Sequence, residues 1–294
     1  PIRFAARGVW LLLAGALIWT FALHYLLKDS VSFVRDALRY GKTKEAHDLH
    51  PWLNVPKRYF QHFYLVGALW NLAFLWVGLF WPHFERSAFA CPYAAEEGRP
   101  WLSLSSVVPY LGLYQLHLSR RLYECYYVSR FSTGGKMHVF QYLFGLVFYL
   151  FVPITIASTV DVTIQGGLDA TAVLFGTWVF LYGNWKQHRL HVILARLRDS
   201  REHKASSSLT MYRLPRGDWF DHISSPHYTA EIVIYIGLMG TLTRFHVDPV
   251  WLGMITVIVL NLTFSASATH RWYANKFKGE FTQSNRSVIF PGVY

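Results

Sequence analysis

The stretch Lys57 to Trp81, KRYFQHFYLVGALWNLAFLWVGLFW, opens on charge, turns apolar and stays so to its end. A run of roughly 20 apolar residues is long enough for a helix to cross the hydrocarbon of a bilayer. Six other segments come close, and the expected spans are about 8–27, 59–81, 104–128, 139–158, 171–190, 229–243 and 247–272. Of the 294 residues, 53% are hydrophobic and 15% are charged, against about 25% charged in soluble domains. The expected fold class is therefore all-α: a polytopic integral membrane protein of seven transmembrane helices, forming a single membrane-embedded domain over 1–294. The first run is longer than the apolar region of a signal peptide and lacks a small-x-small cleavage site, so it too reads as a span.

Orientation follows from the lysines and arginines between the spans. Segments 28–58, 120–136, 186–216 and the tail after His270 hold 7, 4, 8 and 4 of them, which is 23 of the 28 in the chain. With seven spans this alternates cleanly, putting the N-terminus outside or in the lumen and the C-terminus in the cytosol. Both N-x-S/T triplets, at Asn261 and Asn285, then fall in a span or on the cytosolic side and should carry no glycan. The fifth helix is expected to run on through Arg198, about 42 Å at 1.5 Å per residue, so its basic end should project beyond the hydrocarbon.

The net charge of +11 raises the question of nucleic acid. The basic residues flank apolar spans instead of forming a stripe interleaved with stacking aromatics, and nucleic acid is not an expected partner. Cys91 and Cys125 admit one bridge at most and fall on opposite sides of the membrane in this topology. No H-E-x-x-H or Cys/His cluster accompanies His188 and His191, so no metal is expected. Gly134-Gly135-Lys136 lacks the rest of a P-loop, and no G-x-G-x-x-G fingerprint occurs.

Polar side chains inside or at the edge of a membrane are costly and mark functional positions. Here they gather at the cytosolic ends of helices. The second span enters with Gln61, His62 and Tyr64. The third ends in HLSRRLYE, where His117 and Arg121 are one turn apart, as are Arg120 and Glu124; the latter two read as a structural ion pair. The fifth ends in NWKQHRLHVILARLR, with Gln187, His191 and Arg198. MYRLPRGDWFDHISSPHYTAE follows a polar loop and holds Tyr212, Arg213, His227 and Glu231. The last span closes on His270 and Tyr273. Cations and hydrogen bonders from several helices thus meet at one depth, as an anionic ligand at the cytosolic edge would require.

Four of these stretches carry a family resemblance. MYRLPRGDWFDHISSPHYTAE resembles the Y-R-I-P-x-G and S-x-x-N-Y/F-x-x-E segment of the steroid 5α-reductase family. HRWYANKF with SNRSVIFPGVY is similar to that family's closing H-R-x-Y-x-x-x-F and R-x-x-x-I-P-F. RYGKTKE, from Arg39 to Glu45, looks like its Y-G-K motif, and SRRLYECYYVSRFS like its R-x-L-E segment. They stand in family order over most of the chain, and within the family they most resemble the branch acting on polyprenals. The resemblance implies a seven-helix enzyme of the endoplasmic reticulum membrane that uses NADPH. Its substrate would be a long-chain polyprenal drawn from the bilayer, with the α-isoprene double bond reduced to give dolichal, on the route to dolichol for N-glycosylation. A reductase of 3-oxo-Δ4 steroids or enoyl thioesters is the alternative within the family; a non-catalytic seven-helix lipid-binding protein or a membrane methyltransferase are alternatives outside it.

Residue by residue, the resemblance implies that Tyr40, Arg121, Arg198, Tyr212, Arg213, Glu231, His270 and Tyr273 belong to the cofactor pocket. Gln187 and His191 match a polar pair on the fifth helix, and His227 stands where Asn is usual. Gln61 and His62 align with a Gln-Glu pair whose carboxyl group addresses the substrate carbonyl in the steroid enzymes. The partner tyrosine of those enzymes is missing near His117-Leu118. Conjugate reduction places negative charge on a carbonyl oxygen, and a donor aimed there stabilises the transition state. The expected catalytic residues are accordingly His62, as the polarising donor, and Gln61, orienting it. Tyr64 and His117 are expected near the substrate.

Overall fold

The computed structural model describes residues 6–16, 51–80, 107–131, 134–159, 169–202 and 213–292. Seven α-helices occur among them: α1 (Ala6–Ala16), α2 (Phe60–Phe80), α3 (Val108–Tyr123), α4 (Val139–Thr159), α5 (Ala170–Glu202), α6 (Pro226–Thr243) and α7 (Pro249–Gln283). Each of the seven expected segments thus contains helix. The stretches around α2, α4 and α7 (Lys57–Leu79, Val139–Ser158 and Pro249–Gln283) are long and apolar enough to cross a membrane. Residues 17–27 of the first expected span lie outside the described residues, as do Tyr40, Tyr212 and Cys91.

Local chemistry sets the helix ends. Pro226 occupies the first turn of α6 behind Ser225, where its missing N–H costs nothing. At α7 the carboxylate of Asp248 accepts the amides of Val250 (2.8 Å) and Trp251 (3.3 Å), with Pro249 opening the helix. Such a cap satisfies donors that a helix start leaves orphaned. Arg244 and Phe245 leave α6 with φ of 54° and 62°, which turns the chain sharply into α7. The expected third span ends differently from its start: after Tyr123 the helix widens into a π-turn over Glu124–Val128. Pro153 lacks the N–H that would bond the Tyr149 carbonyl in α4, and Trp70 of α2 donates to the carbonyl next to it, that of Leu150 (3.0 Å). Neighbouring helices commonly satisfy backbone groups in this way inside a bilayer.

The helices pack round a core of large side chains, among them Trp10, Leu111, Tyr114, Phe180, Tyr235, Leu238 and Trp251, all at most 1% exposed. Trp10 of α1 is wedged between α4 and α7: its indole donates to Thr155 Oγ1 at 2.9 Å, its ring meets Phe148 edge-on, and it covers Gly253. α5 and α6 lie closest of all. A Cβ on Gly237 would sit 2.4 Å from the amide nitrogen of Phe180, and one on Gly176 would sit 2.4 Å from that of Thr241. Small residues at such crossings let backbones approach, the usual basis of helix association in membranes. The buried Asn71 of α2 donates to Leu111 O (3.0 Å) and Gln115 Oε1 (2.9 Å) on α3. Outward, Leu69, Leu72, Trp76 and Leu79 of α2 and Leu174, Phe175, Trp178 and Leu181 of α5 are exposed, a surface suited to lipid.

Two short strands, β1 (Asn54–Pro56) and β2 (Lys136–His138), pair antiparallel and tie the start of α2 to the start of α4. The residues after α7 form a strap. Ser224 N donates to Ser287 O and Ser287 N to His222 O, each at 2.9 Å. Thr229 Oγ1 binds Ile289 O at 2.6 Å, and Arg286 Nη1 binds Pro215 O at 2.8 Å. The tail thus holds the 213–225 loop against the head of α6.

Candidate functional site

A cavity with about 950 Å³ of unfilled space, part of it open to the surroundings, lies between α2, α3, α4, α5, α6 and α7. Its walls are of two kinds. Phe60, Phe63, Phe144, Phe148, Ile258 and Leu262 make an apolar body, while Tyr64, Arg121, Gln187, His191, His227 and Glu231 make a polar end. The arrangement suits an amphipathic ligand whose head is recognised and whose remainder is merely enclosed.

The polar end is built on one turn of α3. Arg121, buried at 7% exposure, donates to the Tyr64 oxygen from Nη2 (2.6 Å) and Nε (3.0 Å), and its Nη1 reaches Glu124 Oε2 at 2.5 Å. Two guanidinium donors on one phenol oxygen leave the O–H of Tyr64 to donate elsewhere and polarise it for that task. Tyr149 meets Tyr64 edge-on, with centroids 5.0 Å apart, and lines the same cavity. Arg120 closes the other side: it donates to Glu124 Oε1 (2.5 Å), Gln187 Oε1 (2.5 Å) and Asn184 Oδ1 (2.9 Å). The expected Arg120–Glu124 ion pair is present, and it is one edge of a larger network.

Glu231 of α6 is held by that network. It accepts from Gln187 Nε2, and its Oε1 lies 3.7 Å from His117 Nε2. His117 is fully buried, with Nδ1 at 2.9 Å from Asn184 Oδ1; it stands behind Glu231 and is not part of the cavity wall. Gln187 Nε2 also reaches the carbonyl of His227 at 3.3 Å. Expected positions 64, 121, 187, 191, 227 and 231 are thus brought together.

The others are placed elsewhere. His62 and Gln61 are half-buried and do not line the cavity. His62 Nδ1 lies 3.0 Å from the Tyr142 hydroxyl and its ring stacks on Tyr59 at 4.7 Å, so packing turns it to the outer side of α2. His270 Nδ1 lies 2.8 Å from Ser224 Oγ. Tyr273 is buried among Trp272, Phe277 and Phe281, with Leu214 beside it; both residues sit under the 213–225 loop, outside the cavity wall. Arg213 is exposed at the start of that loop. The side chain of Arg198 lies outside the described residues.

Gln141 was not singled out from the sequence. Its Oε1 is buried in the cavity wall with no hydrogen-bond partner among the described residues. A lone glutamine in the apolar run of α4 was the available signal. Asn261 and Ser265 of α7 line the wall as well. Together with the Glu231 carboxylate and the Gln187 amide they fit a carboxamide or ribose, which needs both acceptors and donors. The polar end therefore fits the nicotinamide half of a dinucleotide.

Comparison with known proteins gives the same direction. Residues 135–294 match the family described as 3-oxo-5-alpha-steroid 4-dehydrogenase. A polyprenal reductase of Homo sapiens is 35% identical over 298 residues, covering 92% of this chain and 91% of that protein. That of Ailuropoda melanoleuca is 34% identical with the same coverage. Polyprenal reductase 2 of Arabidopsis thaliana is 29% identical over 352 residues, covering 100% of this chain and 98% of its own.

Proposed function

Because the chain belongs to the 3-oxo-5-alpha-steroid 4-dehydrogenase family, we propose that it is a membrane oxidoreductase that reduces polyprenal. In this reading it saturates the α-isoprene C=C bond with NADPH, giving dolichal on the route to dolichol, in the endoplasmic reticulum membrane. The carrying observation is the two-part cavity: a hydrogen-bonding head of Tyr64, Arg121, Gln187 and Glu231 joined to an aromatic, aliphatic body. A long prenyl chain needs recognition only at its aldehyde, and the apolar body can hold the first isoprene units while the rest stays in lipid.

A dihydronicotinamide held there would supply the hydride that the reduction of an enal needs. The side chains do the rest. Glu231, Gln187 and Gln141 orient the carboxamide and ribose. His227 and His191 flank them, and Arg213 takes the phosphates, a role that the family resemblance extends to Arg198, Tyr40 and Tyr212. His270 and Tyr273 hold the loop that carries Arg213. Tyr64, its oxygen gripped by Arg121, donates its proton-bearing side to the carbonyl oxygen where charge develops. This assigns to Tyr64 the role that sequence alone assigned to His62, because Tyr64 lines the cavity and His62 does not.

The test is to incubate the purified protein with NADPH and a polyprenal and read the products by mass spectrometry. Dolichal is expected, two hydrogens heavier with the aldehyde intact. Recovery of polyprenol, or turnover of a 3-oxo-Δ4 steroid without turnover of polyprenal, overturns the reading.

A further inference from the structure

Conjugate reduction consumes a proton from water, and at the polar end of the cavity Tyr64, Arg121 and Gln187 are buried. Each turnover adds a hydride to the β-carbon and a proton to the α-carbon of the substrate, so a proton must enter for every dihydronicotinamide oxidised. Three residues connect the outside to the wall. His188 of α5 has 39% of its side chain exposed, and its Nδ1 lies 2.8 Å from Glu124 Oε1. Glu124 is completely buried. Its second oxygen, Oε2, lies 2.7 Å from Nδ1 of His191, which forms part of the cavity wall.

We propose that His188, Glu124 and His191 form the proton relay that feeds the cavity, an inference that rests on the reductase reading above. The spacing has a simple origin: His188 and His191 are three residues apart on one face of α5, and the π-turn places Glu124 between them. The exposed end lies in water, because the same turn of α5 carries Lys186 and Arg189, both bound to Asp218 (2.5 and 3.5 Å). Arg120 and Arg121 of α3 also hold the Glu124 oxygens, at 2.5 Å each, and Arg121 Nη1 lies 2.8 Å from His191 Nδ1. These cations balance the charge of the carboxylate, and in the relay it carries a proton only in passing. The imidazole of His188 takes a proton from water on one nitrogen and releases another to Glu124 from Nδ1. The carboxylate passes it to His191, and His191 delivers a proton to the α-carbon as the enolate collapses to the aldehyde. Glu124 ends the cycle as the carboxylate it began as, and both rings return to their starting charge.

His188 is the residue to change, since the buried Glu124 also holds two arginines. The full-length protein in detergent is assayed with NADPH and a short-chain polyprenal. If wild type shows no reduction, the reductase reading and the relay fall together. With wild type active, His188→Ala is expected to lower kcat at least about tenfold, to leave the KM for NADPH unchanged and to enlarge the ratio of kcat in H2O to that in D2O. Imidazole added to the medium is expected to restore the rate, because the vacated position is open to it. His188→Gln keeps a hydrogen bond to Glu124 but passes no proton, and should be as slow as the alanine variant. An unchanged kcat, a loss that imidazole does not repair, or a His188→Gln protein at wild-type speed overturns the relay and leaves polyprenal reduction standing.

Discussion

Tyr64 and His62 stand two residues apart on α2, about 200° around its axis, and that rotation separates a cavity-lining phenol from an outward imidazole. Both are polar side chains at the same helix entry, and the apolar pattern around them does not say which one faces inward. The neighbours decide it. Tyr142 of α4 lies 3.0 Å from the His62 ring on one side, and Arg121 of α3 lies 2.6 Å from the Tyr64 oxygen on the other. The consequence is a kinetic contrast. Tyr64→Phe should lower kcat/KM for a polyprenal about 10²–10³-fold, the usual cost of one oxyanion donor, while NADPH affinity stays within about twofold of wild type. His62→Ala should retain most of the activity. Steady-state NADPH oxidation with a soluble enal, beside nucleotide binding by fluorescence, measures both; a severe His62→Ala defect with a mild Tyr64→Phe one would return the donor role to His62. Glu124 was legible only in part: its pair with Arg120 is present as expected. Spacing along the helix marks Arg120 as its partner, but no spacing rule registers that a π-turn brings Arg121, His188 and His191 to the same carboxylate.

Among the elements, the helices were legible from their apolar length and their caps. Asp248-Pro249 opens α7 as such a pair ordinarily does, whereas at α6 Pro226 opens the helix and Ser225 makes no side-chain cap bond; α5 runs on through Arg198 to Glu202, as expected. The loop between α5 and α6 was legible only as a motif. What holds it is tertiary: the strap after α7 on one side and Asp218 on the other. Asp218 leaves Gly217 with a φ of 56° and turns its carboxylate back to Lys186 at 2.5 Å, while Lys186 also lies over the Trp219 ring. Burial raises the Asp218 carboxyl, but hydrogen bonds from Lys186 and from the Trp219 amide, with the charges of Lys186 and Arg189, outweigh it and hold the group below its ordinary value. A carboxyl lowered by folding contributes stability that is present above its unfolded value, near about pH 4, and is lost as pH falls through the folded one. Asp218→Asn should therefore melt a few degrees below wild type at pH 7, with the difference shrinking steadily below about pH 4. Thermal unfolding in detergent across that range checks it; a gap that stays constant into acid would show that the carboxylate charge is not what ties the loop.

At the scale of the whole molecule, α6 decides the orientation. Its 18 residues span about 27 Å, just short of a typical hydrocarbon core, and yet 11 of them are buried and the rest half-buried. If α6 crosses, the connection before α4 and the tail of α7 share a side, and the α6–α7 turn lies opposite. That arrangement puts 23 of the 28 lysines and arginines on one face, which the positive-inside rule makes cytosolic. Single cysteines at the exposed positions Lys136, His246 and Lys276 test it, in a chain with Cys91→Ser and with the buried Cys125 retained. In sealed vesicles with the cytosolic face outward, an impermeant maleimide should label Lys136→Cys and Lys276→Cys at once, and His246→Cys only after permeabilisation. The pattern is diagnostic because α4, α5 and α6 separate 136 from 246, whereas α7 alone separates 246 from 276. An α6 that stops short of crossing would put 136 and 246 on one side and 276 on the other. A protein inserted the other way round would exchange all three labels, moving the mouth of the cavity away from the cytosolic supply of NADPH.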